Sequence, residues 1–349
     1  MTPRFDEPLA GKTTLGIGGP ARFFIYAEHD DEVAVAAAFA RAHDLPLRVL
    51  GAGSNVLVPD GGIDAVVLQL ASSGISFSDE SEEAVLVTAG AGVRWDVLVD
   101  AAVARGLYGI ENLAGVPGTV GGAAVQNIGA YGAAFSSVFA YAETYDLDAR
   151  AIVRVEAGAV AFGYRMSSFK RSGKQVLLRV TLRLLRAGAL QLGYPDVAAR
   201  RAQGERIETP SEAASAIRAI RAAKFPAPEI AGTAGSFFGN PVLDSARARA
   251  IAERFPGMPL FALPEGGVKV PIAWLMDYRH GVMDLRNARV GGAYVWPKQA
   301  LVIVTEPRAR ARDVDALADM IAQRVYDATR MRIEREVETF AAQILFNRA

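Results

Sequence analysis

The chain has no cysteine, only three histidines and no excess of either charge. Without cysteine it can form no disulfide, thiolate metal site, iron–sulfur cluster or cysteine nucleophile. No two histidines lie four residues apart, so we predict no histidine-built metal site. The 38 basic and 38 acidic side chains balance, which argues against a nucleic-acid-binding protein. The chemistry must therefore come from a bound cofactor or from Ser, Tyr, Lys, Arg, Asp and Glu.

Long apolar runs are absent too. None approaches the roughly 20 residues of a membrane-spanning helix, and residues 1–10 lack the basic and then apolar pattern of a signal peptide. We therefore expect a cytoplasmic protein with no membrane or nucleic-acid partner, and we favour a monomer. With 349 residues, 51% of them hydrophobic, the chain can bury a sizeable core in about two domains.

Hydrophobic periodicity predicts alternating strands and helices. Valine- and leucine-rich runs predict strands over residues 47–50, 65–70, 84–88, 176–185 and 300–304, and apolar stripes predict helices over 30–43, 94–105, 244–255 and 312–330. Thr209, Pro210 and Glu212 form a capping sequence that begins a helix over 210–224, and Pro226 ends it. The mixture predicts an α+β fold, with a first region over residues 1–205 and a second over 206–349.

Glycine is concentrated in residues 14–20, 51–55 and 111–132. The second segment follows a predicted strand but lacks the dinucleotide fingerprint, because Val56 stands where its third glycine belongs, and no P-loop motif occurs. The third is too glycine-rich for a helix or strand interior, where each glycine costs roughly 0.5–1 kcal/mol. It is also too apolar for a flexible linker. A tightly packed interdomain loop is one interpretation; we favour contact with a large planar or anionic ligand.

Three polar groups stand out. Arg165 lies in a short cationic and aromatic stretch and could bind a carboxylate with two hydrogen bonds, although most single arginines are surface residues. Ser236 lies between glycines and aromatics, where spacing alone favours a turn-forming serine. Glu336 would ordinarily mark a charged strand edge. Together they indicate an enzyme that handles an anionic substrate with a bound organic cofactor.

An ordered set of motifs identifies a family. The sequence resembles the UDP-N-acetylenolpyruvoylglucosamine reductases, the MurB family, in its longer type I branch, through residues 14–21, 51–55, 117–132, 164–170, 235–241 and 336–337. The resemblance implies a FAD-binding region of the vanillyl-alcohol-oxidase type, with lobes over about 1–70 and 71–205, followed by a smaller α+β substrate domain. It also implies that the last segment, about 331–340, brings Glu336 to the active site.

The resemblance further implies a reaction. NADPH would reduce non-covalently bound FAD, and UDP-N-acetylglucosamine enolpyruvate would be reduced to UDP-N-acetylmuramate in peptidoglycan precursor synthesis. Ser236 would donate a proton to C2, while Arg165 and Glu336 would lie at the substrate carboxylate. A fixed cation and preorganised donors suit an enolate-like intermediate. Glu336 would help only if it were protonated or paired with a cation.

By the same resemblance, the remaining site residues form two sets and include no metal ligand. The expected cofactor-binding residues are Gly51, Ala52, Gly53, Ser54, Asn55, Val56, Pro117, Gly118, Gly121, Gly122, Gln126, Asn127, Gly129, Ala130 and Tyr131. The expected substrate-binding residues are Tyr164, Tyr194, Lys224, Asn240 and Lys269. The chain departs from the family pattern at Ala52, usually glycine, Gly239, usually lysine, and Arg335, commonly proline.

Two other functions stay open. A flavin-dependent sugar or alcohol oxidase of the same superfamily would use oxygen in place of NADPH, but it has no enolate to protonate. A non-catalytic UDP-sugar-binding protein would bind the nucleotide sugar without turnover. The combination of Arg165, Ser236 and Glu336 favours the reductase over both.

Overall fold

The computed structural model describes residues 2–263, 266–280 and 282–341. Within them the strands are β1 (Arg4–Pro8), β2 (Pro20–Ala27), β3 (Leu47–Val49), β4 (Val56–Leu57), β5 (Ile63–Leu70), β6 (Ile75–Asp79), β7 (Ala84–Gly90), β8 (Gly129–Ala130), β9 (Ala133–Ala134), β10 (Phe139–Asp146), β11 (Ala151–Glu156), β12 (Phe162–Gly163), β13 (Met166–Ser167), β14 (Gln175–Leu185), β15 (Gly232–Ser236), β16 (Val242–Leu243), β17 (Phe261–Ala262), β18 (Val268–Lys269), β19 (Arg289–Val290), β20 (Ala293–Val295), β21 (Val302–Thr305) and β22 (Glu338–Thr339).

The α-helices of the described residues are α1 (Asp30–Ala42), α2 (Trp95–Val103), α3 (Val120–Gln126), α4 (Ser168–Ser172), α5 (Pro195–Ala202), α6 (Pro210–Lys224), α7 (Ser245–Arg254), α8 (Ile272–Met276) and α9 (Ala311–Thr329). Single 3₁₀ turns occupy Ala10–Lys12, Glu111–Leu113, Phe135–Ser137, Ala157–Ala159 and Tyr278–His280. The predicted helices and strands are confirmed, most with ends shifted by one or two residues. Helix α6 has the predicted bounds because Thr209 and Glu212 form the expected capping box.

The first sheet has the strand order β1-β2-β5-β3 and lies at the start of the chain. Strands β2, β5 and β3 run parallel, while β1 is antiparallel to β2. Helix α1 packs on this sheet through Val33 and Ala37, against Ile25 and Val66. The glycine segment 51–55 therefore leaves the sheet at the carboxyl end of a parallel strand, the edge at which open sheets commonly bind ligands.

The second sheet has the order β11-β10-β14-β7-β6 and is antiparallel throughout. Its core includes Trp95 of α2 and also Ala213, Ile217 and Ile220 of α6. Helix α6 therefore shares the core of the first region, whereas the predicted boundary at 205/206 assigned it to the second. The cap at Thr209 marks the start of a helix and not a change of core, and we place the boundary after Lys224.

A third sheet, with the order β15-β21-β20-β19, packs against α9 near the end of the chain. A small sheet with the order β16-β18-β17 is formed by the part of the chain between β15 and β19. The final strand β22 returns to the first region and pairs in parallel with β4. Just before it, the backbone N–H of Glu336 donates to the carbonyl of Phe237 (2.8 Å). The C-terminal segment thus joins the glycine segment 51–55 of the first region to the third sheet.

Candidate functional site

A large cavity lies among the three sheets and has a volume of about 1520 Å³. Its walls include residues 51–56, most of residues 116–131, the hairpin tip at Tyr164 and Arg165, and most of residues 332–340. The volume exceeds the roughly 300–1,000 Å³ of an ordinary small-molecule site. The cavity therefore has room for a ligand of dinucleotide size and for part of a second molecule.

The glycine corner at the end of β3 needs glycine at one defined position. Gly53 has a φ of +65°, and a Cβ there would lie 2.2 Å from the carbonyl oxygen of Lys12. The backbone N–H of Thr14 donates to the Gly53 carbonyl (3.0 Å), which fixes the corner against the preceding glycine segment. Ala52 is not among the residues with positive φ, so its methyl group adds no backbone strain.

A second glycine-rich wall faces this corner. Ser54 Oγ donates to the carbonyl of Pro117 (3.1 Å), and a Cβ on Gly118 would lie 3.4 Å from that same Oγ. A Cβ on Gly51 would approach the hydroxyl of Thr119 to 3.0 Å. The two loops pack closely because glycine allows their backbones to approach. Residues of both loops line the cavity.

The amide of Gln126 supplies an unsatisfied donor in this wall. Its Nε2 is buried with no hydrogen-bond partner among the described residues, whereas its Oε1 accepts from Lys170 Nζ (2.8 Å). Lys170 in turn pairs with Glu338 (2.6 Å). A buried amide N–H without a partner is costly and indicates a ligand acceptor. The glycine walls, the free amide and the cavity volume therefore fit FAD.

Arg165 stands at the tip of the β12–β13 hairpin with a φ of +53°, a conformation that ordinary side chains adopt at a cost. Its Nε donates to Glu336 Oε1 at 2.8 Å, and the Glu336 side chain is only 15% exposed. Among the described residues no hydrogen bond engages the two terminal nitrogens of Arg165. The ion pair supplies the cationic partner that Glu336 was expected to need. It leaves the two terminal nitrogens of Arg165 free to bind a carboxylate.

Ser236 ends β15, where an irregularity separates the pair Thr233–Val304 from the pair Ser236–Val302. The half-buried hydroxyl lines the cavity and has no hydrogen-bond partner within the described part of the chain. Glu336 binds the backbone of the next residue, Phe237. The structure thus brings Arg165, Ser236 and Glu336 to one cavity from three separate parts of the sequence.

The five predicted substrate-binding residues also line this cavity. The amide of Asn240 donates weakly to the Tyr164 hydroxyl (3.5 Å), and Lys224 Nζ contacts Asp196 Oδ2 (2.6 Å). The Tyr194 ring lies edge-on to Tyr131, with 5.0 Å between centroids. Burial, reinforced by the positive charge of Arg165, lowers the pKa of Lys269. All five residues therefore belong to the same cavity as Arg165.

Several cavity arginines, Arg221 and Arg48 among them, were not among the predicted site residues. Arg221 donates from Nε to the carbonyl of Gly115 (2.9 Å), and its guanidinium lies near Tyr131. Burial lowers its pKa, and it also lowers that of Arg48, whose Nε has no partner among the described residues. The sequence held one signal for Arg221, since it follows the buried Ile217 by four residues on the core face of α6.

Asn127 is the predicted cofactor residue that the structure places elsewhere. It ends α3 with a φ of +43°, donates from Nδ2 to the Gly163 carbonyl (2.8 Å) and accepts from the Ser136 N–H (3.0 Å). It is absent from the cavity lining. Both functional groups of its amide are used inside the protein, so we leave it out of the cofactor-binding set and assign it to fixing the turn after α3.

The structure also shows the surroundings of two departures from the family pattern. Arg335 forms ion pairs with Asp315 and with Asp319 (2.7 Å) of α9, which anchor the residue before Glu336. A Cβ on Gly239 would meet no atom within 4 Å, so the space of a longer side chain is open there. Within the described ranges, no group of acidic and histidine side chains could hold a metal ion. No described helix is long and apolar enough to span a membrane.

Comparisons with known proteins agree with this geometry. A family model described as FAD binding domain matches residues 21–152, and one described as UDP-N-acetylenolpyruvoylglucosamine reductase, C-terminal domain, matches residues 227–340. These matches confirm the predicted order of a FAD-binding region followed by a smaller α+β domain.

Whole-chain relatives carry the same name. A UDP-N-acetylenolpyruvoylglucosamine reductase of Paraburkholderia phymatum is 40% identical, over 95% of this chain and 96% of its own. That of Pseudomonas aeruginosa is 38% identical, over 93% and 94% of the two chains. The crystal structure of MurB from Thermus caldophilus matches with a TM-score of 0.65 and 27% identity, over 97% of this chain and 99% of that one.

Proposed function

Because the chain belongs to the UDP-N-acetylenolpyruvoylglucosamine reductase family, we propose that it reduces UDP-N-acetylglucosamine enolpyruvate to UDP-N-acetylmuramate. The reductant is NADPH, and the reaction belongs to peptidoglycan precursor synthesis in the bacterial cytoplasm. The observation that carries the proposal is the meeting of Arg165, Glu336 and Ser236 in one cavity whose walls include the glycine loops.

Residues 51–56 and 117–122, with Gln126, would hold the FAD through backbone amides and the unpaired Nε2. The chemistry expected of bound FAD is the carriage of a hydride from NADPH to C3 of the enolpyruvyl group. The remaining steps belong to side chains of this protein.

Arg165 binds the substrate carboxylate through its two terminal nitrogens, while Glu336 holds Nε and fixes the plane of the guanidinium. This arrangement stabilises the negative charge that develops on the carboxylate as C2 becomes electron-rich. Glu336 does not repel that charge strongly, because its own carboxylate is paired with Arg165.

Ser236 delivers the proton to C2 from its free hydroxyl. A serine hydroxyl is a weak acid, and its proton moves only toward a strongly basic carbon of the kind formed here. The serine oxygen then recovers a proton from solvent. Addition of one hydride at C3 and one proton at C2 saturates the double bond.

The first test is an anaerobic absorbance trace of the FAD-loaded protein at flavin wavelengths, with NADPH added before the UDP-enolpyruvyl sugar. Bleaching by NADPH and recovery with the sugar are the expected results. Bleaching without recovery would indicate another acceptor, and recovery only with oxygen would indicate an oxidase. Failure to bind FAD would overturn the proposal.

The role of Ser236 is tested in the same cuvette with Ser236→Ala. We expect bleaching to proceed at the wild-type rate and recovery to slow by about 10²–10⁴-fold, the usual contribution of a general acid. Ser137→Ala removes a hydroxyl that bonds the Ala134 carbonyl outside the cavity, and it should alter neither half-reaction. Equal losses in both half-reactions of Ser236→Ala would contradict the assignment.

A further inference from the structure

The cationic side chains that line the cavity differ in whether their carboxylate partners line it too. Arg165 and Lys170 pair with Glu336 and Glu338, which line the cavity themselves. Lys224 instead pairs with Asp196, whose side chain lies outside the cavity lining. The ammonium group of Lys224 is therefore held by a carboxylate that does not itself line the cavity.

Asp196 is held in place by its neighbours. Tyr194 precedes helix α5 and packs edge-on against Tyr131 of the cavity wall. Val197, the next residue after Asp196, is 1% exposed and belongs to the core that also contains Ile217 and Ile220 of α6. The packing of α5 on α6 therefore fixes the backbone at Asp196.

In this ion pair, the side chain of Lys224 is the one that can change its position. Its backbone is fixed at the end of α6, where the indole N–H of Trp296 donates to its carbonyl (3.0 Å). Its four-carbon side chain is about one-third exposed and can rotate about several bonds. The ammonium group can thus move between Asp196 and a ligand in the cavity while the backbone stays where it is.

Resting on the proposed function, we propose that Asp196 competes with the diphosphate of the UDP-sugar for Lys224. In the absence of substrate the carboxylate holds the ammonium group; when the diphosphate enters, Lys224 turns toward it and Asp196 becomes solvated. Asp196 is then a positioning residue that weakens substrate binding and eases product release, because both ligands carry the same diphosphate.

The energetic scale follows from the exposure of the pair. Both side chains are 32% exposed, so solvent screens the attraction between them. Ion pairs of this kind change an equilibrium by about two- to fivefold. Removal of the competing carboxylate should therefore tighten ligand binding by about this factor, with a larger effect at low salt.

The test uses the FAD-loaded protein and UDP as the probe, titrated by calorimetry. Asp196→Asn should lower the Kd of UDP about two- to fivefold, lower the KM for the UDP-enolpyruvyl sugar by a similar factor, and leave kcat unchanged or smaller. Asp64→Asn is a matched control, since it removes a carboxylate from an exposed pair with Arg22 outside the cavity. Its UDP affinity should equal that of the wild type.

A second substitution, Lys224→Met, distinguishes competition for Lys224 from a general effect of removing a negative charge. In Lys224→Met, the Asp196→Asn change should have no effect on UDP binding, because the residue through which Asp196 acts is absent. Weaker UDP binding in Asp196→Asn, or an equal gain in the Lys224→Met background, would overturn the inference while leaving the proposed function intact. Absence of UDP binding by the wild type would overturn both.

Discussion

Replacement of Gly53 by alanine is the sharpest test of the cofactor-binding corner. Left-handed backbone costs an ordinary residue about 1–2 kcal/mol. The new Cβ would lie 2.2 Å from the Lys12 carbonyl oxygen, where an ordinary contact begins at 3.4 Å. Backbone must therefore move by about 1 Å, and overpacking of this kind costs about 1–3 kcal/mol. We expect Gly53→Ala to lower the free energy of unfolding by about 2–5 kcal/mol.

The same displacement should weaken FAD binding. A preorganised site tolerates errors of only about 0.5 Å, so we expect the Kd of FAD to rise by more than about tenfold. The measurements are urea unfolding of the FAD-free protein and titration of FAD fluorescence. Gly61→Ala is the control, because a Cβ there meets no atom within 4 Å and its φ is not positive.

Both variants lie in the first region and add the same methyl group. Equal stability and equal FAD affinity of Gly53→Ala and Gly61→Ala would refute the reasoning, since it would mean that the corner adapts without cost. A loss of stability with unchanged FAD affinity would restrict the role of Gly53 to folding. A cofactor-binding role of this corner is supported only if Gly53→Ala loses both stability and FAD affinity while Gly61→Ala retains both.

Two further predictions concern single side chains. Arg335→Ala removes the ion pairs with Asp315 and Asp319 that anchor the residue before Glu336; we expect stability to fall by about 1 kcal/mol or less and flavin reoxidation by substrate to slow, and an unchanged reoxidation rate would exclude a positioning role. Burial raises the pKa of Tyr131 to about 12, whereas the unfolded chain releases this proton near pH 10. Stability should therefore fall as pH rises from about 10 toward 12, and urea unfolding at several pH values should show a smaller fall in Tyr131→Phe; identical slopes would contradict the shift.

Several features were predictable from sequence because they depend on neighbouring residues. The capping box of Thr209 and Glu212 determined the bounds of α6, and the alternation of Val176 to Leu185 determined β14. The glycine segments marked the cavity walls because positive φ and close backbone approach require glycine locally. The ordered motifs gave the family, which the whole-chain relatives confirm.

Other features depend on contacts between distant residues. Arg165 and Glu336 are 171 positions apart, and their ion pair exists only because β22 returns to β4 at the glycine corner. Asn127 lies within a predicted cofactor motif, yet two internal hydrogen bonds use its amide. No local pattern separates it from Gln126, whose Nε2 is unpaired.

The sequence by itself therefore determined the elements, the family and the residue types of the site. Only the tertiary structure decided which charges meet, that α6 shares the core of the first region, and that Asp196 holds Lys224. The physical reason is that hydrophobic periodicity and capping act within a few turns of chain, whereas the partner of a charged side chain is set by how sheets and helices pack across the whole fold.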